Sequence, residues 1–419
     1  YLREINFQDN KLKDIQSKEV SGKAIRMIHE GRIGSAPGGL QTSADWLLTT
    51  AAKLAAFGRK ASFELPERDG KMVEITNSDP NLKTVDLGAA RQLAETIIER
   101  LGKELPEWSV GGGITVGEAI NRLVSSRGVD FRFQERAAGF YINITLPREG
   151  DLLELYTGRS FFPDETTMDA VIEDVVWRAK NAETVADMPE GEYPLLLHPE
   201  ALASFLSAFK QAVKGRAVFE GLSPLKGKIG EKIFNPAISI LDDPTDKQLA
   251  GYTPLGDEGV VGKPVKLVEN GVLKSYLTDL EFSAKLDQPH TGHGSRFPGT
   301  LDESIPRGDA SITDTSWIMP AGDSNLADMM GSIKDGVYLV ATWDVWSGNL
   351  IGGDVSGSTH LAYRIKDGKP VGRIKDMRVS GNLYKLLGEK LQAISLERPV
   401  TGSGSLRVPY YLIDPVKLA

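Results

Sequence analysis

Apolar residues recur along this chain with two different periods, and the change of period divides it. From Thr42 to Phe57, Trp46, Leu47, Ala51, Leu54 and Ala55 fall on one stripe at helical spacing, and Gly58 stops the run. The pattern predicts an amphipathic helix with those five side chains inward. Asp86 to Leu101 repeats it with Leu93, Ile97, Ile98 and Leu101 inward and Gly102 after the end. Glu165 to Ala182 does so again with Met168, Val171, Ile172, Val175 and Val176. Thr115-Val116-Gly117-Glu118 has the spacing of a capping box, in which a hydroxyl and a carboxylate satisfy free amides at a helix start, and predicts a helix through Leu123.

Between these helices the period drops to two. Val129 to Glu135 and Gly139 to Thr145 alternate apolar and polar residues, as half-buried strands do. Helices would then cover one face of a mostly antiparallel sheet. At Pro189-Glu190-Gly191-Glu192 the composition shifts, and one helix from His198 precedes many short strands with Gly-rich turns. The expected fold class is α+β: an N-terminal α/β domain over residues 1–188, then a mostly-β, barrel-like domain over residues 189–419. A chain of 419 residues is longer than one core usually supports, which agrees with at least two domains.

Composition narrows the class of function. Hydrophobic residues at 41% and charged residues at 25% describe a folded globular chain and exclude disorder throughout. A formal charge of -8 argues against a nucleic-acid surface, where Lys and Arg must neutralise phosphates. With no cysteine there is neither a disulfide framework nor a thiolate metal site, and a reducing, cytoplasmic location is expected. No apolar stretch approaches the roughly 20 residues of a membrane helix, so no contact with a membrane is expected.

Local motifs for catalysis are sparse. His198-Pro199-Glu200 reads as a helix start with Pro at the first position, because no second His follows one turn later. His290 and His293 share a loop, with His360 as the one remote candidate for a third metal ligand; a surface loop is the expectation. Asp242-Asp243-Pro244 and Asp257-Glu258-Gly259 read as turns in which Asp caps the backbone, with acid/base work as the alternative. Ser356 and His360 lack the spacing of a nucleophile elbow. Gly111-Gly112-Gly113 is expected to be a flexible loop, and Lys226, Lys228 and Lys232 a solvated face.

A set of longer motifs is more specific. In order come Glu30-Gly31-Arg32-Ile33-Gly34-Ser35, Ser223 to Lys232, Ile240 to Pro244, Gly256 to Val260, Glu269 to Lys274, and Thr291-Gly292-His293-Gly294. Val337-Tyr338-Leu339-Val340, Ser347 to Gly357 and Val379-Ser380-Gly381-Asn382-Leu383 close the series. Each is a weak loop pattern alone, but the ordered set resembles the TldD/PmbA family of peptide-maturation metalloproteases, also labelled modulators of DNA gyrase. Catalytic members of that family carry a His-Glu-x-x-x-His zinc helix and a downstream Cys ligand. Counting back from Ser223 along the family pattern, those helix positions fall on Leu206, Ser207 and Gln211. Leu has no lone pair to donate, and Gln is a poor zinc ligand.

The chain therefore resembles the family's metal-free, PmbA/TldE-type subunit. The resemblance implies no catalytic residue, no metal and no other cofactor in this chain, with zinc held by a TldD-like partner. It also implies dimer contacts framing a cleft, as a heterodimer with the zinc subunit or a homodimer, and an unfolded peptide as ligand in proteolysis or peptide maturation. An extended peptide is commonly held at a strand edge. The residues expected on the substrate or partner side are His293, Arg296, Asp354, Ser356 and Asn382. The alternative reading is a stand-alone homodimeric peptide- or protein-binding module without protease activity.

Overall fold

The computed structural model describes residues 1–78, 86–160, 165–296, 309–345, 348–401 and 404–419. Ser347, part of one closing motif, lies outside them. Near the N-terminus, six strands make one sheet in the order Lys11–Lys18, Leu2–Gln8, Ser109–Val124, Asp130–Arg148, Val73–Ser78, with Asp151–Arg159 also paired to the long fourth strand. Pairing is antiparallel except between Val73–Ser78 and Asp130–Arg148. The helices Leu87–Glu104 and Glu165–Ala182 pack on it, burying Ala90, Ala94, Ile97 and Leu101 with Val171, Ile172 and Val175 against Val110, Ile114, Val116, Ile142 and Ile144.

A separate hairpin, Gly22–His29 with Arg32–Gly39, carries the helix Ala44–Ala55 and keeps a small core of its own from Ala36, Leu47 and Ala51. Ser43 caps this helix, its side chain accepting from the Trp46 amide at 3.2 Å.

Five strands of the C-terminal half close on themselves. Gly191–Leu197 pairs with Tyr411–Leu418, that with Arg378–Asn382, that with Asp354–Lys366, that with Asp335–Trp343, and Asp335–Trp343 returns to Gly191–Leu197. Closure leaves no free edge within the ring. The helix Pro199–Ala212 follows the first of these strands directly, capped by His198 Nδ1, which accepts from the Glu200 amide at 3.1 Å. It buries Leu202, Phe205, Leu206 and Phe209 against Val337, Leu339, Val379 and Ile413. Leu196, Tyr338 and Tyr363 of the ring belong instead to the core that holds the N-terminal sheet and its helices, so the two halves share packing.

Several expectations need correction. Thr115 to Glu118 does not start a helix but lies inside the 16-residue strand Ser109–Val124. Partners on both sides decide this, residues 112–117 pairing with Leu2–Phe7 and residues 109–124 with 130–145. Glu118 accordingly accepts from the side chains of Gln134 (2.7 Å) and Arg136 (3.1 Å) across the sheet, not from a helix amide. Gly111-Gly112-Gly113 is part of the same strand and no loop; a Cβ on Gly112 would stand 2.2 Å from the Tyr141 carbonyl oxygen and 2.5 Å from the Phe7 ring. The two strands expected at 129–135 and 139–145 are one 19-residue strand. Leu47, Ala51 and Ala55 point inward as expected, but Trp46 and Leu54 are exposed because the small hairpin offers cover to only one narrow face. Gly102 sits inside its helix, which runs on to Glu104.

Candidate functional site

On the helix Pro199–Ala212, Leu206, Ser207 and Gln211 have different surroundings. Leu206 is wholly buried in the core. Ser207 is half-buried, and its hydroxyl donates to the Ser204 carbonyl oxygen of the preceding turn at 2.5 Å. Gln211 is exposed beside the helix end, where its carbonyl accepts from Val213. One apolar side chain, one hydroxyl already bonded to the backbone and one amide do not make a zinc donor set, so these residues do not fit the metal. Among the described residues, no group of three His, Cys, Asp or Glu side chains is placed to hold a metal ion.

Behind that helix face lies a buried polar network centred on Asp242. This side chain is completely enclosed and accepts from the Trp317 indole N–H (2.8 Å), the Thr315 amide (3.1 Å) and the Thr315 hydroxyl. His293 Nε2 stands 3.2 Å from Asp242 Oδ1, close enough for an ion pair but poorly directed for a hydrogen bond, while Nδ1 meets the Thr291 hydroxyl at 2.9 Å. Burial alone would raise the Asp242 carboxyl, but the contacts from His293 and Thr315 outweigh it and hold it below the ordinary carboxylate range. The expected turn role falls to Asp243 alone, whose carboxylate accepts from the Thr245 amide (2.8 Å) and hydroxyl (2.6 Å). His293 is thus no surface residue, whereas His290 is exposed and His360 packs on Trp343 with ring centres 4.3 Å apart.

This network fixes the segment that faces the helix end. The Thr313 amide donates to the His293 carbonyl oxygen at 3.0 Å and Thr315 is held by Asp242, so Asp314 is anchored on both flanks. Its carboxylate receives the Lys210 ammonium at 2.5 Å, and that ammonium also lies 4.9 Å over the Trp317 ring. Lys214 follows one turn after Lys210, its backbone fixed to Leu277 by bonds from Gly215 (2.7 Å) and to Val213 (3.0 Å). Burial and the neighbouring Lys210 charge lower the Lys214 amine below the ordinary lysine range, against the pull of Asp314.

A second cluster ties the N-terminal hairpin to this half of the chain. Arg26 Nη1 meets Glu258 Oε1 at 2.6 Å, and Glu258 Oε2 accepts from the Leu280 amide at 2.8 Å. Asp257 accepts from the Arg296 amide (2.8 Å) and the Ser295 hydroxyl (3.2 Å). Burial raises the carboxyls of Asp257 and Asp279, the latter to about 6. Asp257 and Glu258 lie in the turn expected for them, where the Gly259 amide donates to the Gly256 carbonyl oxygen at 2.9 Å, but Glu258 is buried and Asp257 half-buried, and their carboxyl groups tie distant segments together.

The five residues expected on the substrate or partner side fall into two places. His293 and Arg296 belong to the buried networks just described. Asp354, Ser356 and Asn382 sit together on the paired ring strands Asp354–Lys366 and Arg378–Asn382, where Asp354 is directly opposite Asn382. Asn382 Nδ2 donates to Asp354 Oδ1 at 3.1 Å, its Oδ1 caps the helix Leu383–Leu386 through the Tyr384 amide (3.2 Å), and Ser356 Oγ accepts from Arg378 at 3.1 Å. Lys210, Lys214, Asp314 and Arg26 carried no motif. The one signal in the sequence was the i, i+4 spacing of the two lysines on a helix end.

Comparison with known proteins decides the family. Residues 190–419, more than half of the chain, match the model of the PmbA/TldA metallopeptidase C-terminal domain. The chain belongs to the PmbA/TldD family. Its fold superposes on the crystal structure of TldE from Thermococcus kodakarensis with a TM-score of 0.86 at 23% identity, covering 100% of this chain and 94% of that one. It also matches a Thermotoga maritima MSB8 structure described as a candidate modulator of a DNA gyrase, with a TM-score of 0.84 at 21% identity over 100% of this chain and 94% of the other. The metalloprotease MJ0996 of Methanocaldococcus jannaschii is 25% identical over 403 residues, 91% of this chain and 85% of its own length. Three other metalloprotease relatives align over less than half of their own length. No described helix is long and apolar enough to cross a membrane.

Proposed function

We propose that this chain is the metal-free, PmbA/TldE-like member of a two-chain TldD-type peptidase in the cytoplasm. A TldD-like partner would hold the zinc and activate the attacking water. This chain would complete the cleft and help hold an unfolded peptide during proteolysis or peptide maturation. The observation that carries the reading is the helix Pro199–Ala212, whose Leu206, Ser207 and Gln211 stand where the family's zinc set is expected and cannot form it. A chain that keeps the family fold while burying a leucine at a ligand position suits a supporting role.

The test is to purify this chain and its zinc-bearing relative from the same organism and to follow cleavage of an unfolded peptide by each alone and by the mixture. Cleavage by the mixture well above that of the zinc chain alone is expected. If the mixture is no faster, the supporting role fails and the stand-alone binding module takes its place.

A further inference from the structure

The two helices packed on the N-terminal sheet cover the face of Val110, Ile114 and Ile142. The opposite face holds a hollow of about 340 Å³ over the middle strands, with Gly111 in its floor. Asn6 and Gln8 wall it on one side, with Lys13 and Asp14 beyond them, and Tyr141 and Asn143 wall it on the other.

Gly111 stands apart from its glycine neighbours. A Cβ on Gly112 would strike Phe7 and the Tyr141 carbonyl oxygen, and one on Gly113 would stand 2.6 Å from the Tyr141 ring, so packing accounts for both. A Cβ on Gly111 would meet nothing nearer than the Phe7 carbonyl oxygen at 3.5 Å, an ordinary contact. Glycine inside a strand weakens it, and one that packing does not demand marks a place kept open for close approach.

The walls of the hollow are held in place by their own hydrogen bonds. Asn6 Nδ2 and Gln16 Nε2 donate to Asp14 Oδ1 (3.0 and 3.3 Å), Lys13 Nζ donates to Gln8 Oε1 (2.8 Å), and the Ser109 hydroxyl donates to Asp9 Oδ1 (2.9 Å). Each bond leaves the other end of an amide or carboxylate for a ligand: acceptors on Asn6, Asp14 and Asp9, donors on Gln8. Asn143 Nδ2 donates to Glu154 Oε1 at 3.0 Å, while its Oδ1 is enclosed and has no hydrogen-bond partner among the described residues. An enclosed acceptor left unpaired is costly, and the hollow beside it is where a donor can arrive. Tyr141 adds an aromatic wall, stacked on Tyr156 with ring centres 6.1 Å apart.

We propose that this hollow binds a neutral polyhydroxyl ligand, a sugar. An extended peptide is held at a free strand edge, and the strands under the hollow, Leu2–Gln8, Ser109–Val124 and Asp130–Arg148, have partners on both sides. The two carboxylates of Asp9 and Asp14 against the one ammonium of Lys13 leave a net charge of -1, which disfavours an anion, and that ammonium opposes a cation. A sugar hydroxyl both donates and accepts, so neighbouring hydroxyls match amides and carboxylates, and the C–H face of the ring packs on Tyr141. Sugar binding here needs neither zinc nor a partner chain.

Saturation-transfer-difference NMR on the full chain tests this, with the methyl glycosides of glucose, galactose, mannose and N-acetylglucosamine and the disaccharides maltose and cellobiose as probes. Transfer to at least one sugar is expected, with none to spermidine or citrate. Gly111→Val should remove the signal while its thermal midpoint stays at or above that of the wild type, because Val suits a strand and its Cβ meets no clash there. Asn6→Ala, which removes one wall amide and leaves the floor open, should lose most of the signal. No transfer to any sugar, equal transfer to spermidine or citrate, an unchanged signal in either variant, or a lowered midpoint in Gly111→Val would overturn the proposal.

Discussion

Arg26 and Glu258 lie 232 positions apart in sequence, yet their side chains meet at 2.6 Å with exposures of 6% and 3%. This ion pair ties the N-terminal hairpin to the C-terminal half, beside those of Arg59 with Glu281 and Asp309. Breaking a buried pair from one side strands the other charge, so Arg26→Met should cost about 3–5 kcal/mol. The double variant Arg26→Met/Glu258→Leu should cost less than Arg26→Met alone. Urea denaturation of the three proteins checks the order; a double variant less stable than the single would contradict it.

Asp279 offers a test with a definite sign. Its carboxyl is raised from 3.8 to about 6, first by burial and further by Glu258 and Glu281, while the Phe282 amide and Arg26 oppose the rise. The folded state therefore holds this proton where the unfolded chain has released it, and stability falls as pH rises from about 4 through 6. Above that window the buried charge represents a loss of roughly 3 kcal/mol. Asn caps a helix as well as Asp does, so Asp279→Asn should match the wild type near pH 4 and exceed it at pH 7.5. Unfolding free energies at the two pH values measure this, and equal gains at both would refute it.

For Asp242 the sign is opposite. Its carboxyl is held below the ordinary range, so it stabilises the fold above that range and the contribution is lost as pH falls through the lowered value. Asp242→Asn turns one acceptor into a donor facing the Trp317 indole N–H and the Thr315 donors, with an expected cost of about 1–3 kcal/mol at pH 7. The acid limb of the stability profile should flatten in the variant, as followed by tryptophan fluorescence.

Leu206 separates packing from metal chemistry at one position. Because it is wholly buried, Leu206→Ala should destabilise by about 2–5 kcal/mol. Zinc content measured by atomic absorption should not change, whereas a fall in bound zinc would mean that this helix takes part in a metal site.

The helices were legible where their signals were local. Apolar spacing and the caps at Ser43, Asp86 and His198 lie within a few residues of the segments they define. The strand Ser109–Val124 was not legible, because its Thr-x-x-Glu spacing imitates a cap and only its two-sided pairing overrides that preference. The burial of Asp242 and Glu258 was hidden for a similar reason. The groups that bury them, Thr315 and Trp317 at separations of 73 and 75 and Arg26 at 232, leave no local trace. Asp354 and Asn382 were readable as motif members, but their direct pairing across two strands was not.

Native mass spectrometry of the protein isolated from its own cells reports partner mass and bound metal in a single spectrum. A heterodimer of this chain with a zinc-bearing relative, carrying one zinc per pair, is the predicted result. A zinc-free homodimer, or zinc bound to this chain alone, would contradict the supporting role.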